Sequence, residues 1–424
     1  MKRILCSISC LALFGELAAQ KSHAQQAIPI RTLGQIEAVS SEPFKNVLNV
    51  RAMSNGNLLV NDGLRRMVVM LDSTLALSAI VLDSASGTAN GYGPRATAMI
   101  AYLGDSSLFV DGVGQSLLMI DTQGAVSRIL AAPRPRDLRF LAGSMSGVDG
   151  YGNLLYMALQ GSSSNAPVIP GQPAPPPSIP DSAAIVRANF ATRLIDTIGR
   201  VRVPSTTQTN SVQRGDGRML VTKRINPVTT PDEWAVLSDG TVAFVRGHDY
   251  HVDFLDSNGH MRASSKLPFD WKRLTDADKQ GLVDSARTAE EELIRKAKEA
   301  RRSSIATPPG AVPMPDPVLQ FVPFKEMGDY YPAIRYGAAK ADLDGNLWIL
   351  PTTSAQSIAG ELVYDVVNRE GELSYRVRVP SNRSIAGFGR GGVIYLMYRD
   401  DAQIWHIERR RAIRSSHEQS PDTR

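Results

Sequence analysis

The sequence predicts an all-β ring of repeated four-stranded antiparallel sheets, and three observations carry that prediction. A polar turn with Gly or Ser followed by a short β-rich run recurs along the chain. A second alternating run, ending in a polar residue, follows each copy. No cysteine follows Cys10, so the body of a 424-residue chain has to be held by burial and not by disulfides.

The remaining composition is that of an ordinary globular protein, 43% apolar and 21% charged. This excludes a wholly disordered chain, a collagen-like repeat and a multi-pass membrane protein. Lys2-Arg3, the apolar run Ile4 to Phe14 and Ser22-His23-Ala24 read as a signal peptide over residues 1–24. The apolar run is too short to span a bilayer, which takes about 20 residues. Its removal leaves a net charge of about +3, too mild to point to nucleic acid. The expected location is the periplasm or outside the cell, with no membrane span.

The repeated turns lie at Gly56, Ser106, Gly152, Gly240, Gly345 and Gly391, where Gly supplies the positive φ of a tight hairpin. The second runs are Met67 to Asp72, Leu117 to Asp121, Ala184 to Asn189, Val252 to Asp256, Leu362 to Asn368 and Ile404 to Glu408. A strand also precedes each turn: Leu48 to Ala52, Ala96 to Tyr102, Leu141 to Met145, Trp234 to Leu237, Gly337 to Ala341 and Ile385 to Phe388. With the turn and strand that often follow, each unit has the four strands of a propeller blade. The expected fold is therefore a six-bladed β-propeller of four-stranded antiparallel blades over residues 25–408. The last copy lacks a fourth strand, and Ile28 to Val39 is expected to supply it and close the ring. Residues 409–424, opening with Arg409-Arg410-Arg411, are expected to form a basic disordered tail.

Asp342-x-Asp344-Gly345-Asn346-Leu347-Trp348 is the sharpest copy of the repeat. With the spacing of the other copies, it resembles the NHL-like six-bladed β-propellers of secreted bacterial proteins. That resemblance implies the fold and says little about activity, because one fold hosts many functions.

Three insertions break the repeat. Residues 161–182 are a Pro-rich loop. Residues 203–232 read as a loop with one strand at Met219 to Val221. Residues 271–323 hold one inserted amphipathic helix and a Pro-rich return. Thr275 and Asp278 make a capping box there. Leu282, Ala286, Ala289, Leu293, Ala297 and Ala300 form the expected apolar stripe, opposite Arg287, Glu290, Glu291, Arg295, Lys296 and Lys298. The helix is read as a rim element, with a lid or partner-docking role as the functional alternative.

Few motifs carry chemistry. Gly387-Phe388-Gly389-Arg390-Gly391-Gly392 matches a phosphate-loop pattern, but a strand follows it where phosphate binding needs a helix. Asp342, Asp344 and Asn346 alternate like calcium ligands, yet Gly345 sits where a hairpin needs it. His251 and Asp253 share a strand face and are the candidate metal ligands. Lys45, Arg95, Arg335 and Arg383 each precede a first strand and are the candidate anion-binding residues at one mouth of the ring. The reading is a binding module for a protein or a small anionic ligand, with no cofactor expected. The alternative is a metal-dependent hydrolase or lyase whose site lies at the channel, with calcium or zinc as its ion.

Overall fold

The computed structural model describes residues 28–84, 90–141, 146–158, 180–213, 219–303, 315–354 and 359–413. The signal peptide read over 1–24, residues 161–179 of the Pro-rich insertion and residues 414–424 lie outside the described residues. No helix among the described residues is long and apolar enough to cross a membrane.

Four separate four-stranded antiparallel sheets cover 47–82, 99–131, 146–202 and 233–263. In each, the strands pair in chain order, so every sheet is a meander. A nine-stranded sheet follows, built from a half at 339–380, a half at 384–413 and the two N-terminal strands Ile30–Leu33 and Ala38–Val39.

The short apolar runs of the sequence are buried on both faces, and alternation sends neighbours into different cores. Leu58 and Val60 pack with Val393, Tyr395 and Ile407, whereas Leu59 packs with Phe109 and Leu118. Leu108 and Val110 pack toward Leu154 and Tyr156, while Leu155 turns to Trp234 and Phe244. Ala243 and Val245 meet Leu347 and Ile349, while Trp348 meets Ile394 and Leu396. Each sheet is thus glued to the next, and the last to the first. A fully buried aliphatic side chain contributes about 1.5–3 kcal/mol, so these layers supply most of the stabilisation. The first strands of successive sheets also touch one another. This is the architecture of a β-propeller.

The N-terminal segment closes the ring, as the unpaired last unit required. Thr32 and Leu33 pair with Ile413 and Ala412, and Ala38 and Val39 pair with Arg409 and Glu408. The same segment does more than expected, because Ile30 and Arg31 also pair in parallel with Arg376 and Val377 of the preceding half. Residues 409–413, expected to open that tail, belong instead to the last strand, Trp405–Ile413. Its arginines are neutralised locally, Arg409 and Arg411 by Glu37 and Arg410 by Glu408.

The larger correction concerns the insertions. Residues 203–232, expected as a loop with one strand at Met219 to Val221, form two paired strands, Thr207–Gln213 and Met219–Ile225. A strand from the third insertion, Val318–Phe321, adds to them in parallel. The long helix Asp276–Ser303 packs on this three-stranded sheet. Val228, Leu274, Val283, Val322, Met327 and Tyr331 form its separate core. Two segments from different inter-sheet connections therefore make one accessory module. The face of the helix also differs from the expected stripe. Val283 is buried and Leu293 is 59% exposed. The inward side carries Lys279, whose ammonium reaches Phe324 O at 3.0 Å and Asp329 at 3.4 Å, and Glu290, which pairs with Lys223. A second, short helix lies at Leu138–Leu141.

Candidate functional site

In a ring of meanders, the two ends are different. First-to-second turns gather at one end, here called the lower end: Ser54 N donates to Asp105, and Gly391 N and Gly392 N donate to Asp344. The starts of all first strands, and therefore the accessory module, lie at the upper end.

The lower turns are built for tightness. Asp342 accepts from Asp344 N, Asn346 N, Asn346 Nδ2 and Trp348 Nε1 at 2.7–3.0 Å. Asp149 repeats the first three of these contacts at Tyr151 and Asn153. The calcium-like Asp342-Asp344-Asn346 pattern is thus consumed by turn hydrogen bonds and by bonds between the two halves of the nine-stranded sheet. The glycine-rich run 387–392 is likewise a hairpin, with Gly391 and Gly392 at φ +68° and +73°.

At the upper end, the four candidate cations do not act as one set. Lys45, Arg95 and Arg335 are exposed. Arg383 turns inward, over the Tyr398 ring at 4.0 Å and against the fully buried Glu408 at 3.2 Å. It neutralises a carboxylate that Arg410 also binds at 2.8 Å.

His251 and Asp253 do meet, at 3.2 Å, inside a chain of charges. Asp232 accepts from Arg246 at 3.0 Å, Arg246 donates to Asp253 at 2.7 Å, and the other nitrogen of His251 lies 2.6 Å from Asp249. Burial acts against ionisation of Asp249, but His251 and Lys266 hold it below the usual carboxylate range. Arg246 and His251 therefore take one oxygen each of Asp253. Among the described residues, no group of three or more His, Cys, Asp or Glu is arranged to hold a metal ion. The calcium or zinc of the alternative reading therefore finds no matching donor set there.

The most unusual group is Glu233, which begins the innermost strand Glu233–Val236. It is fully buried. Its Oε1 accepts from Gly337 N at 2.9 Å, and its Oε2 has no hydrogen-bond partner among the described residues. Burial pushes its pKa up to about 7, against the pull of Gly337 N–H and Lys340, with Asp232 adding to the rise. Lys340, on the neighbouring innermost strand Ala339–Ala341, is held below the usual ammonium value by burial, with Glu233 opposing. Tyr336 donates to Pro204 O at 3.0 Å, and burial together with Glu233 and Asp232 lifts its phenol to about 12. A carboxyl that titrates near neutrality, with one free oxygen beside a cation of lowered pKa, can accept or release a proton in the working pH range.

Sequence reasoning passed over both residues. The signal was a charged residue inside a segment expected to be buried: Asp232-Glu233 at the entrance of one first strand, and Lys340 within another.

No protein-family profile matches the sequence, and no curated protein matches it. Solved structures do resemble it in shape. A putative exported protein from Bacteroides fragilis has TM-score 0.42 at 10% identity, over 89% of this chain and 94% of the other. A member of the DUF4221 family from Bacteroides vulgatus has TM-score 0.40 at 12% identity, over 92% and 96%. Virginiamycin B lyase from Staphylococcus aureus, with quinupristin, has TM-score 0.36 at 10% identity, over 88% and 96%.

Proposed function

We propose that this chain is an exported, NHL-like propeller of six blades that serves as a binding module, with its upper end as the working surface. Four separate sheets and the two halves of the nine-stranded sheet make six units, and the six cores between them support the blade number. The observation that carries the functional reading is the accessory module: two insertions from separate connections fold together, with their own core, at the end where Lys45, Arg95 and Arg335 stand exposed. Separate loops drifting over a scaffold would not share a core. A surface of this kind, with unburied cations around a rigid ring, suits a small anionic ligand or an acidic protein surface.

The test is thermal melting of the purified protein with citrate and with inorganic phosphate. A rise in melting temperature that disappears in the triple variant Lys45→Gln/Arg95→Gln/Arg335→Gln supports the reading. No rise, or a rise that the triple variant keeps, overturns it for small anions.

Glu233 favours a second reading, hydrolysis or lysis with this carboxyl as the proton-transfer group. Turnover of lactones or esters that is lost in Glu233→Gln supports it. Metal analysis for calcium and zinc on protein purified without chelator separates a metal-assisted version from a metal-free one.

A further inference from the structure

The accessory module stands on the ring through a few backbone crossings, and Glu233 sits among them. The first insertion leaves the strand Ile195–Arg202 and returns at Asp232-Glu233. The second returns through Tyr336-Gly337 to the strand Ala339–Ala341. Hydrogen bonds tie these feet, among them the backbone bond from Asp232 N to Arg202 O at 2.9 Å. Tyr336 donates to Pro204 O at 3.0 Å, Arg202 N donates to Asp232 at 3.1 Å, and Gly337 N donates to Glu233 at 2.9 Å. Gly337 has φ +77°, a left-handed turn geometry that suits glycine.

We propose that Glu233 is a proton-controlled latch between the ring and the accessory module: neutral, it keeps the Gly337 foot against the fourth sheet; ionised, it favours opening of that seam to water. The reason is that its second oxygen is buried without a hydrogen-bond partner among the described residues. A charge there is relieved by hydration, and hydration requires the seam to open. The groups facing it are Lys340 across the seam, Asp232 beside it in the chain and Tyr336 on the second foot. The Gly337 N–H and Lys340 favour the closed, ionised state, but burial outweighs both, and among the described residues no direct ion pair joins Lys340 to Glu233. The latch does not depend on the binding reading above.

The linkage gives a number. With a carboxyl near 4.5 in the open state and about 7 in the closed one, the open population rises about tenfold between pH 6 and pH 8. Amide hydrogen exchange at Gly337, corrected for the intrinsic rate, reads this directly on the whole chain. Protection of Gly337 is expected to fall about tenfold over that interval, while amides of the first sheet, such as Val60, hold theirs. In Glu233→Gln the fall should vanish. In Lys340→Met, which removes the opposing cation, the fall should continue to higher pH. Unchanged Gly337 protection in the wild type, or the same fall in Glu233→Gln, overturns the latch. A parallel fall at Val60 also overturns it, because the whole ring would then be responding.

Discussion

Single carboxylates do two opposite jobs in this molecule, and their surroundings decide which. Asp342 is nearly buried but fully used, with four donors on its two oxygens. Removing it strands the Trp348 indole N–H and two turn amides. Asp342→Ala is expected to lower stability by about 2–3 kcal/mol, measured by chemical denaturation, whereas Trp348→Phe loses mainly one bond and packing volume. Glu233 is buried with one oxygen idle. Its folded pKa, about 7, lies above its ordinary 4.5, so the folded state holds the proton more tightly than the unfolded state. Stability from this group is then full below pH 4.5 and is lost as pH rises to about 7. Glu233→Gln should therefore stabilise the protein by roughly 2–3 kcal/mol at pH 8 and change little at pH 4.5. Urea melts at the two pH values check this, and an equal effect at both refutes it. Asp342 was legible because its partners lie within six residues in an Asp-x-Asp-Gly-Asn pattern. Glu233 was not, because its one partner is 104 residues away.

At the scale of elements, the long helix separates what a local pattern can tell from what it cannot. Its start was readable. Asp278 N donates to Thr275 Oγ1 at 3.2 Å, and Asp278 accepts from Thr275 N at 2.9 Å. The Thr275 hydroxyl, which donates to the Asp278 carboxylate at 2.7 Å, and then the Thr275 N–H hold that carboxyl below its usual range. Its buried face was not readable. An alanine-rich helix offers more than one apolar stripe, and the choice among them is made by the surface it meets. Here that surface is a sheet assembled from two distant segments. It favours Val283 and also takes in Lys279 and Glu290, because each finds a partner there. Val283→Ala is expected to lower the stability of the module by about 1–2 kcal/mol, and Leu293→Ala to change it by less than about 0.5 kcal/mol. Helix content followed during denaturation tests the pair. The reverse ranking would restore the stripe read from spacing alone.

For the whole molecule, the question is what keeps a ring of sheets shut. The alternation of Leu58, Leu59 and Val60 between two cores means that each sheet is stable only between neighbours. The ring was legible for that reason, since a run that is apolar on both faces has to be covered on both. The core between the first and last sheets closes the ring, and the N-terminal strands bind the outer edge of the last one. Gly34, Glu37 and Ser40 donate backbone bonds to Arg411, Arg409 and Ile407, while Ile407 N returns one to Ser40 Oγ. Arg376 N donates to Pro29 O, so the same segment also holds the preceding half. That double role escaped the sequence, because a parallel pairing between chain ends leaves no local pattern. Each such bond is worth about 1 kcal/mol net, and Glu37 adds pairs with Arg409 and Arg411. Deleting residues 28–40 uncovers Glu408, whose second oxygen has no hydrogen-bond partner among the described residues, and leaves two sheet edges open. The melting temperature is expected to fall on the order of 10 °C in a single cooperative step. Calorimetry distinguishes the outcomes. An unchanged melt would mean that the core between Tyr395 and Val60 closes the ring unaided. Two separate transitions would mean that the nine-stranded sheet detaches as its own unit, and that the ring is not one cooperative body.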